Sequence, residues 1–492
     1  MSTDVVVVGC GVAGMAAAVA AAEQGLRVTV LERVDESERG GNSRYTSAWM
    51  RMSNEDEISD DLVDLLVERG HGAIPPDFAK EATRNYADWP SQLKAYAFTD
   101  PELVTALAEN APATMHWLKS HGIKFTTFEP MLLETGAVRM GPSGGGLAVI
   151  DALGKSAERL GVRFLYHTTA RSLLQNAGGD VGGVRCWSKA KGLFDLECQS
   201  VVIASGGFQG NVEMMTRYAG ANAVFARPVS AGGINNKGEG LEMMLAVGAA
   251  PAGQYDMFHG APIDPRSVRA EAIVGAINFG ILVNSQGRRF IDEGTNTYEH
   301  FYDEVAWTIM RQKQGLAYLL FDGSLFDIPH VRSRIQTEVE PVRAESITGL
   351  AQALSLPAED LTKTLRDYNA ATRPGSFDAR RRDALCTEGL ALPKSNWARP
   401  IKENDLRAFP IMCGNTFTCG GVKITADAEV VNRDGAVIPG LYAAGETTGL
   451  YYTLYVGATS VLRGLVFGRL AGRKIGAELG PQRSATQARG IT

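Results

Sequence analysis

Two short stretches hold residues whose types and spacing can do chemistry. In Gly9-Cys10-Gly11-Val12-Ala13-Gly14, three glycines stand at G-x-G-x-x-G spacing. Such glycines let backbone N–H groups reach a diphosphate at the positive end of the helix that follows. Glu32 ends the strand-like segment VTVLE, 28–32, where a carboxylate can accept hydrogen bonds from a ribose hydroxyl. The second stretch is YYTLYVGATS, 451–460. Tyr455 stands just before the small-residue turn Val456-Gly457-Ala458-Thr459, at the mouth of a helical pattern. A phenol there can donate a hydrogen bond to a carbonyl or carboxylate oxygen without demanding a full negative charge. Simple packing of Tyr451, Tyr452 and Tyr455 against a ring edge is the competing reading.

The elements needed to position the glycine loop fall in order. Val5–Val8 is a β-branched run suited to a strand buried on both faces. After the glycines a helical pattern runs to Gln24, and Gly25 is a good stop. The uncharged run 5–22 is long enough to mimic a membrane span. The three glycines favour strand, turn and Ala-rich helix instead, and no integral membrane segment is expected.

Composition narrows the class further. The chain has 492 residues, 45% of them hydrophobic and 21% charged, as in soluble globular proteins. A formal net charge of −6 leaves no basic footprint for nucleic acid. The six cysteines form no CxxC pair, so neither an iron–sulfur cluster nor a structural zinc is expected, nor any other metal. With no positively charged leader at the N-terminus, the expected compartment is the cytoplasm.

Three segments far from the loop narrow the nucleotide. GLYAAGE, 440–446, ends in Gly445-Glu446 and resembles the C-terminal segment of FAD-binding oxidoreductases, where the acid contacts the ribityl chain. VVIASGGF, 201–208, resembles their internal strand-turn near the flavin. GGNS, 40–43, resembles the loop after their second strand. With GILVNSQGRRFIDE, 280–293, FTCGGVKI, 417–424, and VFGRLAG, 466–472, the chain resembles the fumarate reductase/succinate dehydrogenase flavoprotein superfamily from its N-terminus to about Gly480. The resemblance implies FAD rather than NAD. It also implies a cofactor set of Gly9, Gly11, Ala13, Gly14, Glu32, Arg33, Gly41, Asn42, Ser43, Ala170, Ala204, Ser205, Gly206, Gly445, Glu446, Ser460 and Val461. No histidine stands in SRYTSA, 43–48, so non-covalent FAD is implied.

The resemblance breaks where substrates bind. Fumarate reductases carry a proton-donating Arg a few residues after the RF…E segment; here Thr297 is followed by Tyr298. Their substrate His before the TxGG turn is replaced by Thr416 and Phe417, and a second clamping Arg falls on Tyr455. Arg grips carboxylates bidentately, so these losses argue against fumarate or succinate. Tricarballylate dehydrogenases resemble the chain in GGNSRYT, in FTCGG and in the aromatic segment before the last helix. 3-Ketosteroid dehydrogenases also place Tyr at both former Arg positions. These resemblances imply Tyr298 as acid/base and Tyr455 as oxyanion donor. Arg44, Arg139, His259 and Thr418 are the expected substrate contacts, a plain helix-entry loop at 139–146 being the equal alternative for Arg139. A tyrosine base needs a nearby cation or donor, for which Arg288, Arg289 and His259 are candidates. His259 serves equally well as a hinge residue.

The expected architecture is α/β: a Rossmann-like FAD-binding domain, split in sequence, with an inserted α+β capping domain. The domains expected from loop-like stretches are 1–250 and 406–480 for FAD, 251–405 for the cap and 481–492 as a tail. The leading expectation is an FAD oxidoreductase acting by hydride transfer to flavin N5, at a C–C bond beside a carboxylate or carbonyl, tricarballylate dehydrogenase-like. A cyclic-ketone or keto-acid desaturase is the runner-up, and a non-catalytic flavin protein the alternative of another class. The partners expected are a small-molecule substrate and an unidentified electron acceptor.

Overall fold

A computed structural model of the chain describes residues 3–59, 88–90, 93, 97–128, 139–453 and 455–489. The strands that matter are β1 (Val5–Val8), β2 (Val28–Leu31), β3 (Arg163–Leu165), β4 (Ser200–Ile203), β5 (Arg227–Pro228), β6 (Phe258–Ile263), β7 (Ile281–Asn284), β8 (Leu316–Asp322), β9 (Val342–Ala344), β10 (Leu406–Thr418), β11 (Glu429–Val431) and β12 (Val437–Ala443). The helices that matter are α1 (Val12–Glu23), α2 (Gly145–Arg159), α3 (Tyr298–Met310) and α4 (Ser460–Arg489).

The first sheet has the order β11-β12-β4-β1-β2-β3. It is parallel except at its β11 edge. β1, β2 and β4 are buried along their whole length, as continuous β-branched runs in a covered parallel sheet must be. The run 5–22 is therefore strand, turn and helix. No described helix is long and apolar enough to cross a membrane.

α1 is alanine-rich because another helix backbone lies against it. A Cβ on Gly468 of α4 would come within 2.3 Å of the Ala13 carbonyl, and one on Gly472 within 2.5 Å of the Ala17 carbonyl. Gly464 meets Val12 and Ala13 in the same register, so the two helices run parallel. Their N-termini lie side by side. α4 continues to Arg489, so most of the expected tail is helix; residues 490–492 lie outside the described residues.

The second sheet is built on β10, a thirteen-residue strand that pairs with β5, β6, β8 and β9, while β7 pairs with β8. This corrects the domain boundaries. The stretch from 406 to 418, expected in the returning FAD domain, is the centre of the second sheet, and β5 at 227–228 joins it from before the expected start. The chain re-enters the first unit only after Thr418. Proline- and glycine-rich loops mark where strands end, not which sheet they join, so composition set the boundary in the wrong place.

The helix seam yields a stability prediction. Gly468→Val will lower the unfolding free energy by roughly 1–3 kcal/mol or more in a urea titration, because backbone rather than a movable side chain opposes it. Gly464→Ala, whose Cβ meets a Val12 methyl at 3.3 Å, will cost less.

Candidate active site

The first sheet ends in a long cleft over the C-terminal ends of β1, β4 and β12. Its floor is backbone. Gly9 has φ +105°, and a Cβ there would lie 2.5 Å from the Ala204 carbonyl. Gly14, the one residue of the expected cofactor set that does not line the cleft, lets α1 turn tightly: its Cβ would lie 2.0 Å from the Gly9 carbonyl. Glu32 reaches back from the end of β2 and accepts from the Cys10 N–H at 3.1 Å and the Arg33 N–H at 2.7 Å. Arg33 pairs with Glu239 at 2.6 Å.

Where the two sheets meet, polar side chains stitch them together. The Asn42 amide donates to the Thr416 carbonyl at 2.6 Å and accepts from the Ser230 hydroxyl at 2.6 Å. Glu446 accepts from the Thr418 N–H at 2.8 Å, the Thr418 hydroxyl at 3.2 Å, Asn236 at 3.2 Å and Gln209 at 3.4 Å. Burial pushes its carboxyl up, and the Thr418 N–H, Gln209 and the Arg463 charge pull against that shift. Thr418, expected to touch substrate, is fully buried and engaged with Glu446 instead.

Beyond Glu446 lies an aromatic cluster. The Tyr455 ring centroid is 4.4 Å from that of His259, 4.8 Å from Phe417 and 5.2 Å from Tyr451. Its hydroxyl meets the Ser460 hydroxyl at 3.3 Å, at the first residue of α4. His259 Nδ1 lies 3.3 Å from Asp303 and its Nε2 2.9 Å from the Tyr302 hydroxyl. Asp303 also accepts from the Gly260 N–H. With Nδ1–H given to Asp303, Nε2 accepts from Tyr302.

Tyr298, expected to pair with Tyr455, begins α3 one turn before Tyr302. Its ring stacks on Tyr302 at 4.8 Å and lies 5.6 Å from the Arg334 guanidinium. Tyr302, not Tyr298, meets the imidazole. Residues four apart share a helix face, so this spacing was the signal available in the sequence. Arg288 pairs with Asp360 at 2.8 Å and Arg289 with Glu293 at 2.6 Å. Arg44 donates to the Arg39 carbonyl at 3.4 Å. The Arg139 guanidinium lies 3.9 Å from where a Gly457 Cβ would stand.

Residues 4–462 match the family described as FAD binding domain. The chain belongs to this family. It is 27% identical over 485 residues to a Fumarate reductase (cytochrome) of Shewanella frigidimarina, a match covering 96% of this chain and 77% of the relative. The open conformation of a flavocytochrome c3 fumarate reductase is similar in structure, with a TM-score of 0.75, 25% identity, and 97% of this chain and 78% of the other covered. So is 3-ketosteroid-Δ4-(5α)-dehydrogenase from Rhodococcus jostii RHA1, with a TM-score of 0.66, 25% identity, and 96% and 97% covered.

The protein is therefore a flavin-dependent oxidoreductase, and its cofactor is FAD. The cleft suits FAD physically. A glycine floor leaves room for backbone contact, the α1 and α4 N-termini both open into it, and Arg463 in its wall is 1% exposed with Nε lacking a partner. The remaining residues of the cofactor set line the cleft and would hold the nucleotide there.

A carboxyl that sequence reasoning missed also faces the cleft. Glu271, contributed by the segment after β6, is pushed up to about 7 by burial. The folded state then holds a proton up to about pH 7, while the unfolded chain releases it near 4.3. Folded-state proton binding in excess means that stability falls as pH rises through this window and levels off above it. Glu271→Gln should flatten that decline in thermal melts between pH 5 and 8.

Proposed function

We propose that this enzyme moves hydrogen across a C–C bond conjugated to a ketone-type carbonyl. Bound FAD would supply the chemistry of accepting or giving the hydride. The sheet built on β10 acts as the cap, bringing His259 and Tyr302 to face Tyr455, and FAD is held non-covalently. No histidine stands among the described residues lining the cleft, which supports that last point.

The observation that carries the reading is the hydrogen-bonded line Asp303–His259–Tyr302 beside Tyr455 and Phe417. Tyr455 turns its hydroxyl to the substrate carbonyl oxygen and polarises the neighbouring C–H bond. Tyr302 oxygen takes the proton from the carbon beside the carbonyl as its own proton passes to His259 Nε2. Asp303 balances the imidazolium. Reduction runs the same transfers backwards. The aromatic walls exclude water from the reacting carbons. Relatives named as a fumarate reductase and a ketosteroid dehydrogenase support the bond class.

A second reading, a small tricarballylate-like carboxylate, has one observation in its favour: the Arg139 guanidinium beside Gly457, two residues from Tyr455. Anaerobic titration of the yellow protein separates the two. Bleaching of the flavin band by cyclic ketones supports the first; bleaching by polycarboxylates alone replaces it with the second. With the active substrate in hand, Tyr302→Phe should lower kcat by ~100- to 10,000-fold, as loss of a general acid–base group does. Tyr298→Phe should stay within a few-fold of the parent.

A further inference from the structure

Arg463 is among the largest fully buried side chains of the protein, 1% exposed, one turn into α4. Nη1 donates to the Thr448 carbonyl at 3.2 Å, and the guanidinium lies 4.6 Å from the Tyr451 ring centroid. The charge that feels the guanidinium is the buried Glu446 carboxyl, which Arg463 pulls down from its burial-raised value. A guanidinium removed from water is costly, and here its Nε is left without a hydrogen-bond partner. Arg463 lines the FAD cleft beside Glu446. Tyr451 links it to Phe417 and Tyr455, which puts the cation at the aromatic end of the cleft. The positive end of α4 opens into the same region and adds to its sign.

We propose that Arg463 is the buried counter-cation of the reduced flavin and sets its two-electron potential. Reduction leaves negative charge on the isoalloxazine ring, and a desolvated cation in the cleft wall favours that state. Oxidised FAD, whose ring is neutral, benefits less. Arg463 therefore raises the potential and makes the flavin a stronger acceptor.

The test uses FAD-loaded protein and needs no substrate. Sulfite adds through its sulfur lone pair to flavin N5 and leaves the ring negative, so its Kd reads the same field as the midpoint potential. Arg463→Met should weaken sulfite binding at least tenfold and move the potential more negative, by about 30 mV for each tenfold. Arg463→Lys, which keeps the charge, should stay within a few-fold of the parent in both. Unchanged sulfite affinity and potential in Arg463→Met would overturn the proposal. So would a loss of FAD affinity with the parent potential kept by the flavin that remains, because Arg463 would then serve the diphosphate. If Arg463→Met does not fold, Arg463→Gln is read by the same criteria.

Discussion

The contact between α1 and α4 governs how the rest of the first unit is arranged. Glycines on α4 lie directly on alanine carbonyls of α1, so no side chain separates the two backbones. Close parallel packing sets two helix N-termini next to each other at the head of one cleft. Dipoles aligned in this way repel, and the buried seam offsets the repulsion. The result is a region of positive potential made by backbone alone, before any charged side chain is counted. A dianionic diphosphate and a ring that becomes negative on reduction both suit such a field.

Joining the second unit to that cleft is a separate problem, solved with polar groups. Glu446 comes from the first unit and Thr418 from the end of β10; Glu446 accepts from Thr418, Gln209 and Asn236, and the Thr418 hydroxyl in turn accepts from the Phe208 N–H. Asn42 repeats the device two residues away, at the Thr416 carbonyl. Buried polar groups of this kind hold their partners in a single geometry because every lost bond leaves a desolvated group behind. The aromatic cluster begins where this polar stitching ends, so Phe417, between Thr416 and Thr418, is positioned by bonds made on either side of it.

Much of this was legible in the sequence. The glycine loop, Glu32 and the β-branched runs specify their own local geometry, because each requirement is met within a few residues. Tyr455 was legible for the same reason, standing against the start of a helix. The pairing of Tyr302 with His259 was not. It depends on β6 lying against α3, a contact between segments with no local signature of each other. Arg463 was hidden by its setting: nothing local in VLRGLVFGRLAG distinguishes its arginines, and only the tertiary fold buries this one. The fate of 406–418 was equally hidden, since an apolar strand pattern reports burial and not which neighbours it will find.

That last strand has a consequence for how the protein can be taken apart. β5, β6, β8 and β9 all hydrogen-bond to β10, which follows them in the chain. A fragment ending at 405 would leave the facing edges of these strands bare, with rows of unpaired N–H and C=O groups open to any passing strand. During synthesis the same edges wait for the last strand to emerge, so the second unit closes late and after most of the chain is made. The enzyme is thus two units in space and one unit in assembly.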